Sequence, residues 1–447
     1  MRIKRELSDI EYFQWIIGQP YNIVMAIRFR GDLPLDRLRE GLDKAQQRHP
    51  LLQVTTVLDE QGRPCFTSDG VGKIPIKVLT REGDDHALRI VEQEFAAKFS
   101  MDIPQITSLP LMRVTLLTGT TPSTEKHDII FCTQHTIADG MSMVFLIRDL
   151  IQFISIPNQP IVLLDALTGN ADLLPPKIRK KMPRTMRKFN ISFWVLKVRY
   201  WLKFRKSWKT PNIRDGGKEP EILKKTPPEQ FFKLYSWTLT PTETSELLFR
   251  CKQERVSVHA ALCTTFLPNF PTINSPVNMR TRFARPVGES FGFLASSATI
   301  TMKYKPKLGF WINARKLHHK LLLQLREKKV FSIYKIFSKV VPRAKIQEMG
   351  SIYANLMGLR LPFTLTNIGS LDNLGIPLSI GNLTIEDFFG GVSGIGNVLL
   401  VFTINQSMHF HLQYTTPDTK DAEAYGWAND AMDLLKASIK TSLNPKY

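Results

Sequence analysis

The stretch Ile129-Ile-Phe-Cys-Thr-Gln-His135-Thr-Ile-Ala-Asp139-Gly140-Met-Ser142 leads from an apolar segment into a histidine and then into a short loop. The apolar segment predicts a strand, and its period of two places Phe131 and His135 on the same face. A histidine at the end of a strand can project into a cleft, where a near-neutral pKa suits proton transfer. From spacing alone, an ordinary surface or core histidine is the commoner alternative.

The loop after this predicted strand carries Asp139 and Gly140. Glycine permits a tight turn or a close approach of the backbone. Asp139 is too far along an extended chain to pair with His135, so a bend would make its carboxylate available to a distant cation. Ser142 lacks the Gly-x-Ser-x-Gly elbow of a serine nucleophile.

On both sides of this stretch the sequence predicts helices and strands in mixed order. Strands are expected at 22–30, 51–58, 63–67, 111–117, 128–134, 234–239, 291–302, 362–366, 398–405 and 409–415. Helices are expected at 9–18, 34–48, 84–99, 142–153, 243–252, 256–266, 313–325 and 421–441. Hairpins interspersed with helices favour an α/β architecture with mixed sheets over a regular doubly wound one.

The length of 447 residues and the 43 % of apolar residues allow two lobes with sizeable cores. Prolines and cations interrupt the helix and strand pattern in the middle of the chain. We therefore expect an N-terminal lobe at 1–165, a basic aromatic crossover at 166–232 and a C-terminal lobe at 233–447.

The net charge of +20 is concentrated in one segment, because residues 177–218 hold fifteen Lys and Arg and a single carboxylate, Asp215. Residues 189–206 combine these cations with Trp and Phe, a composition typical of helices at a membrane surface. Docking to the inner face of a membrane and a solvated crossover between lobes are both open interpretations. Nucleic-acid binding is disfavoured, since no recognition fold accompanies the charge.

The remaining sequence signals argue against metal, disulfide and phosphate-loop chemistry. The four cysteines form no Cys-x-x-Cys pair, which predicts buried, reduced thiols in a cytoplasmic protein. Neither the pair His318 and His319 nor the pair His409 and His411 has carboxylates or cysteines in a ligand pattern, so no metal site is expected. The glycine-rich stretch 390–396 predicts a turn. Neither a signal peptide nor a membrane span is indicated.

The stretch Gln134-His135-Thr-Ile-Ala-Asp139-Gly140 resembles the His-His-x-x-x-Asp-Gly motif of the chloramphenicol acetyltransferase-like superfamily. That superfamily includes nonribosomal-peptide condensation domains, plant BAHD acyltransferases and stand-alone polyketide-associated acyltransferases. Four further segments resemble the superfamily in the same order along the chain. They are residues 22–52, 110–114, 277–280 and 366–369.

The resemblance implies two lobes with mixed sheets, arranged as a V around an interlobe channel. His135 would be the catalytic general base. Asp139 and Gly140 would support the motif loop, with Asp139 paired to Arg280, and Asn367 is a candidate for channel or oxyanion contact. An acyl-CoA or an acyl carrier protein would supply the acyl group as a thioester on its phosphopantetheine arm, with no bound cofactor.

One departure from the motif bears on the reaction, because Gln134 stands where condensation domains have histidine. This favours O-acylation of a lipophilic or polyketide-type alcohol by a monomeric enzyme. An amide-forming condensation enzyme and a catalytically silent binding protein are the alternatives. The segment Asp387-Phe-Phe-Gly390-Gly391 is only loosely similar to the Asp-Phe-Gly-Trp-Gly segment of the plant enzymes.

Overall fold

The computed structural model describes most of the chain but little of the basic crossover 166–232. The described residues are 2–16, 19–99, 109–119, 126–167, 173–179, 231–336, 362–377, 379–380, 382–393, 396–416 and 418–440. Residues 180–218 of the basic segment lie outside the described residues, and so do the predictions made for that segment. The limits of the three predicted regions remain a prediction.

Two large mixed sheets, a small sheet and several helices make up the described residues. The strands are β1 Lys4–Glu6, β2 Asn22–Arg30, β3 Thr55–Leu58, β4 Pro64–Thr67, β5 Ile76–Thr80, β6 Met112–Thr118, β7 Lys126–Gln134, β8 Phe231–Leu239, β9 Thr272–Asn278, β10 Ala295–Thr301, β11 Phe363–Ser370, β12 Ser379–Ile380, β13 Leu383–Val392, β14 Val398–Ile404 and β15 Ser407–Thr416. The helices are α1 Asp9–Ile16, α2 Leu35–Arg48, α3 His86–Ala96, α4 Gly140–Ser155, α5 Pro176–Arg179, α6 Pro241–Gln253, α7 Val258–Phe266, α8 Phe310–Gln324, α9 Glu327–Val330, α10 Ser332–Ile336 and α11 Asp421–Lys440.

The first large sheet has the strand order β12-β13-β2-β7-β6-β5. Its centre is the antiparallel pair β2 and β7, in which Asn22 lies opposite Gln134. Along β7, Phe131 packs into one apolar cluster and Cys132 into another, as the predicted alternation requires. Apolar side chains on both faces indicate that this pair is covered by other elements on both sides.

The second large sheet has the order β10-β9-β11-β14-β15-β8. Its strand β11 runs parallel to β9 and β14, whereas the other pairs are antiparallel. Both sheets therefore mix parallel and antiparallel strands, because β5 and β6 of the first sheet are also parallel. The expected mixed-sheet α/β class is confirmed.

Strand β13 belongs to the C-terminal half of the sequence but pairs with β2 of the first sheet. Its Gly390 has φ of +154°, and a Cβ added there would lie 2.1 Å from the carbonyl oxygen of Val24. The turn that we expected over 390–396 is therefore wrong at its start, since Gly390 and Gly391 lie within β13. Glycine is needed there because the neighbouring backbone approaches so closely.

Helices cover the sheets, and one core reaches from the first sheet to the second. Helices α2 and α4 pack on one face of the first sheet and α3 on the other. Helices α6, α7, α8 and α11 cover one face of the second sheet. On its opposite face, Leu400, Phe402 and Ile404 of β14 join the same apolar cluster as β2 and β7. The two sheets are thus held together by shared apolar burial.

Two further expectations can be compared with the structure. All four cysteines are buried and unpaired, which confirms the prediction of free thiols. No helix in the described part of the chain combines the length and apolar composition that a membrane span requires. The V shape and the interlobe channel stay predictions.

Candidate active site

His135 is the first residue after β7, where the chain turns toward α4. Its backbone amide donates a hydrogen bond to the carbonyl of Tyr21 at 3.0 Å, which extends the β2–β7 pairing by one residue. The imidazole stacks on the ring of Tyr21, with 4.7 Å between centroids, and packs against Phe293 at 5.3 Å. Only 8 % of the residue is exposed. Two aromatic rings therefore fix the imidazole at the edge of the core.

The hydrogen bond of the imidazole fixes its tautomer. Nδ1 of His135 lies 2.7 Å from the carbonyl oxygen of Ala138. Because a carbonyl oxygen can only accept, Nδ1 carries the proton and Nε2 of the neutral ring has a free lone pair. Burial lowers the pKa of His135 below its ordinary value, and the carbonyl of Ala138 and the charge of Asp139 only partly oppose this. The ring is thus neutral at neutral pH and able to accept a proton at Nε2.

Asp139 and Arg280 form the ion pair that the resemblance implied. Nη1 of Arg280 donates to Oδ2 of Asp139 at 2.9 Å, and Nη2 donates to Oδ1 at 3.0 Å. The two side chains are 5 % and 3 % exposed. The pair joins residues 141 positions apart, and its fork geometry makes each hydrogen bond directional.

Asp139 also begins α4. Its Oδ1 accepts from the backbone amide of Ser142 at 2.8 Å, which caps the helix. Its Oδ2 accepts from the amide of Leu294 at 3.0 Å, one residue after the Phe293 that packs on His135. Burial acts to raise the pKa of Asp139, but Arg280 and the Ser142 hydrogen bonds outweigh it and hold the pKa below its ordinary value. The ionised carboxylate of Asp139 therefore holds both the start of α4 and the backbone next to Phe293.

The structure places Gly140 and Asn367 differently from their expected roles. Gly140 is the first residue of α4, does not adopt a positive φ, and an added Cβ would meet no described atom within 4 Å. Gly140 thus shows neither a positive φ nor the close backbone approach that glycine permits, and its supporting role stays a prediction. Asn367 lies at a bulge of β11, where its Oδ1 accepts from the amide of Gly369 at 2.9 Å. Within the described residues, Asn367 makes no hydrogen bond to His135, and its channel role stays a prediction.

Gln134 is fully buried, and its side-chain amide makes no hydrogen bond to any described residue. Leaving a buried amide unpaired costs about 1–3 kcal/mol, so the position is not optimised for stability. By contrast, the buried hydroxyl of the preceding residue, Thr133, donates a hydrogen bond to the carbonyl of Leu111 at 3.1 Å.

Sequence reasoning missed Tyr21 and Phe293, the aromatic residues that hold the His135 ring. Nothing in the spacing of either residue relative to His135 could have revealed these contacts. The serine rejected as a nucleophile, Ser142, contributes differently: it accepts a hydrogen bond from Nη2 of Arg280 at 2.8 Å. It is therefore part of the support for the motif loop.

Two surface cavities of about 370 and 380 Å³ lie within the described residues. Their linings include Arg37 and Asn382 in the first and Gln46 and Lys73 in the second, and neither includes His135. A passage that would bring substrates to His135 thus remains a prediction.

A second polar cluster lies at His409 and His411. No carboxylate accompanies these histidines in a local ligand pattern, but Nδ1 of His409 lies 3.6 Å from Oδ1 of Asp387. Asp387 is on β13 and the histidines are on β15, so the contact depends on tertiary packing.

Part of the chain is similar in sequence to known proteins. Residues 18–156, which include His135 and Asp139, match the family model of the condensation domain. A linear gramicidin synthase of Brevibacillus parabrevis is 33 % identical over 138 residues, or 29 % of this chain. A surfactin synthase of Bacillus subtilis (strain 168) is 26 % identical over 150 residues, or 32 % of this chain. The chain spans only 2 % and 4 % of the length of these two relatives.

Solved structures resemble the whole chain. The match with the trichothecene 15-O-acetyltransferase of Fusarium sporotrichioides covers 98 % of this chain and 96 % of that enzyme, with 12 % identity and a TM-score of 0.67. This chain has the chloramphenicol acetyltransferase-like fold. Polyketide synthase associated protein 5 of Mycobacterium tuberculosis covers 98 % of both chains, with 15 % identity and a TM-score of 0.62. The first condensation domain of the CDA synthetase covers 99 % and 97 %, with 12 % identity and a TM-score of 0.65.

Proposed function

We propose that this chain of chloramphenicol acetyltransferase-like fold is an acyltransferase in which His135 is the general base. The observation that carries the proposal is the hydrogen bond from Nδ1 to the carbonyl of Ala138, which leaves Nε2 unprotonated. The condensation-domain match over 18–156 supports it, because the matched region includes this histidine.

In the proposed reaction, the acceptor hydroxyl attacks the carbonyl carbon of an acyl thioester, and Nε2 of His135 removes its proton. The tetrahedral intermediate then expels the thiolate, which takes the proton from the imidazolium. The products are an ester and a free thiol, and the imidazole returns to its neutral form. The thioester would be carried by CoA or by the phosphopantetheine arm of a carrier protein.

The surroundings of His135 support this role through positioning. A positioned base contributes about 10²–10⁴-fold in rate, whereas orienting two substrates can contribute about 7–11 kcal/mol. The rings of Tyr21 and Phe293 restrict the imidazole, and Asp139 holds the loop through Arg280. Asp139 is a positioning residue, since it binds the loop and not the reacting atoms.

Amide formation is a second candidate, because the family model and the synthase relatives are of the condensation type. Ester formation is our preferred reaction, since Gln134 stands in the first histidine position of the motif. A direct test supplies acyl-CoA and acyl-phosphopantetheine thioesters with paired alcohol and amine acceptors of the same carbon skeleton. Mass spectrometry should detect the ester in larger yield. A dominant amide would favour condensation, and no product with any pair would count against acyl transfer.

The pH dependence of the reaction should reflect the lowered pKa of His135. A base must be unprotonated, so kcat/KM should be constant at neutral pH and fall only at a pH below the ordinary histidine value of 6.5. The rate profile with a fixed thioester and alcohol from pH 5 to pH 8 measures this. An apparent pKa at or above 6.5 for the essential base would contradict the assignment.

A further inference from the structure

Asp387, His409 and His411 lie where the two large sheets meet. Asp387 is on β13 of the first sheet, and both histidines are on β15 of the second. One nitrogen or oxygen atom from each side chain lies within 4.8 Å of the other two. Imidazole nitrogens and a carboxylate oxygen are the ligand types that Zn²⁺ and related ions bind in proteins.

His411 has a ring nitrogen without a well-formed hydrogen bond at this cluster. The residue is 2 % exposed, and its Nδ1 lies 2.6 Å from the hydroxyl oxygen of Ser236. Its Nε2 is buried and has no partner of good hydrogen-bond geometry among the described residues, although the ring also faces the backbone of Phe388. If Nδ1–H donates to Ser236, the lone pair of Nε2 is available, and a buried nitrogen without a partner is costly to maintain. A histidine that binds a metal commonly donates its other N–H in this way.

The two imidazoles are also held in place by an aromatic ring. The ring of Phe402 stacks on His409 and on His411, with 5.3 Å between centroids in both cases. This shared contact restricts the orientation of both imidazoles.

The charged neighbours of Asp387 have partners of their own. Arg28, opposite on β2, donates to Oδ1 of the buried Asp128 at 2.8 Å, and a second arginine pairs with Oδ2 of the same carboxylate. Glu386, which precedes Asp387, pairs with the last residue of β2. Oδ1 of Asp387 accepts from the amide of Phe388 at 2.8 Å, which leaves further lone pairs on the carboxylate.

We propose that Asp387, His409 and His411 bind one divalent first-row transition-metal ion, most readily Zn²⁺, which links the two sheets. Nε2 supplies the ligand from His411. The three ligand atoms lie within 4.8 Å of one another, so the side chains must move to reach the bond lengths of about 2.0–2.2 Å that zinc requires. Asp387 lies opposite Arg28, and Arg28 lies opposite Asp128, which precedes His135 by seven residues on β7. At about 3.3 Å per residue, Asp387 is therefore roughly 23 Å from His135 along the strand direction. The ion is thus separate from the acyl-transfer site.

The experiment uses the full-length chain without a histidine tag, stripped with chelator and titrated with ZnCl₂ by calorimetry. Wild type should bind one equivalent, and its melting temperature should rise with added zinc. Asp387→Asn, which preserves side-chain size, and His411→Ala should each weaken binding at least ~10-fold and remove most of the thermal shift. Ser236→Ala should weaken binding about 10-fold while leaving all three ligands in place.

His319→Ala is the matched control, because it removes an exposed histidine of α8 and should bind zinc like wild type. Circular dichroism of each stripped variant establishes that it is folded before titration. Absence of stoichiometric binding to wild type would overturn the proposal. So would equal affinity of wild type and the Asp387→Asn variant, since binding would then occur elsewhere.

Discussion

His135→Ala is expected to lower kcat/KM for acyl transfer by about 10²–10⁴-fold, because the variant has no base at the position of Nε2. Its residual rate should exceed that of the uncatalysed reaction, since substrate positioning does not require the imidazole. The measurement is the initial rate of thiol release with the best thioester and alcohol pair, for wild type and variant at saturating donor.

In this variant, the effect of lost packing must be distinguished from the effect of the lost base, because the imidazole contacts the rings of Tyr21 and Phe293. His135→Gln fills most of the same space but offers no basic nitrogen, so its rate should fall as far as that of alanine. Added imidazole should partly restore the alanine variant if a free base can enter the vacated space. The His319→Ala variant should keep the wild-type rate. An unchanged rate in both His135 variants would eliminate the proposed mechanism.

Local periodicity predicted the central elements of the fold closely. Strand β2 was expected at 22–30 and extends over Asn22–Arg30, and helix α2 was expected at 34–48 and extends over Leu35–Arg48. Both were predicted from local patterns, because residues 22–30 alternate and are β-branched in part, and α2 presents one apolar stripe. Such patterns depend only on residues close together in the sequence, so they can be recognised without knowledge of the tertiary structure.

Other strands lacked a local signal. Strand β9 contains Pro276, a residue that normally argues against a central strand, yet it pairs with β10 and β11. Strand β13 contains Gly390 and Gly391, which predicted a turn, and only the close approach of the Val24 backbone explains Gly390. In both cases pairing partners far along the chain outweigh the local propensity.

The candidate site shows the same limit. Spacing alone left His135 as an ordinary histidine, and the pairing of Asp139 with Arg280 was implied by the resemblance and not by any residue pattern. The rings of Tyr21 and Phe293 and the proximity of Asp387 to His409 follow from tertiary packing. A sequence can indicate which residue types could react, but not which side chains restrain them.

Removing one partner of the Asp139–Arg280 pair should have a large effect on stability. Asp139→Ala leaves the guanidinium of Arg280 buried without its counterion and removes the cap of α4, and Arg280→Met leaves a buried carboxylate. Each change is expected to cost about 3–5 kcal/mol in the free energy of unfolding. Urea denaturation followed by circular dichroism measures the loss.

The double variant measures the interaction between Asp139 and Arg280 separately from their contacts with other residues. Because neither buried charge remains, Asp139→Ala with Arg280→Met should cost less than the sum of the single changes by about 0.5–3 kcal/mol. Removing the exposed pair Arg2 and Asp69, with side-chain exposures of 75 % and 42 %, is the matched control and should change stability little. Strict additivity at positions 139 and 280 would show that the two side chains do not act as a pair.

The lowered pKa of Asp139 gives this pair an acid dependence with a defined sign. A carboxyl whose folded pKa lies below its ordinary value of 3.8 binds protons more readily in the unfolded state, so its contribution is complete above that value. The contribution is lost as the pH falls through the lower, folded pKa. The stability difference between wild type and Asp139→Ala should therefore be constant at neutral pH and shrink below pH 3.8. A difference that grows on acidification would mean that Asp139 is not ionised in the folded protein.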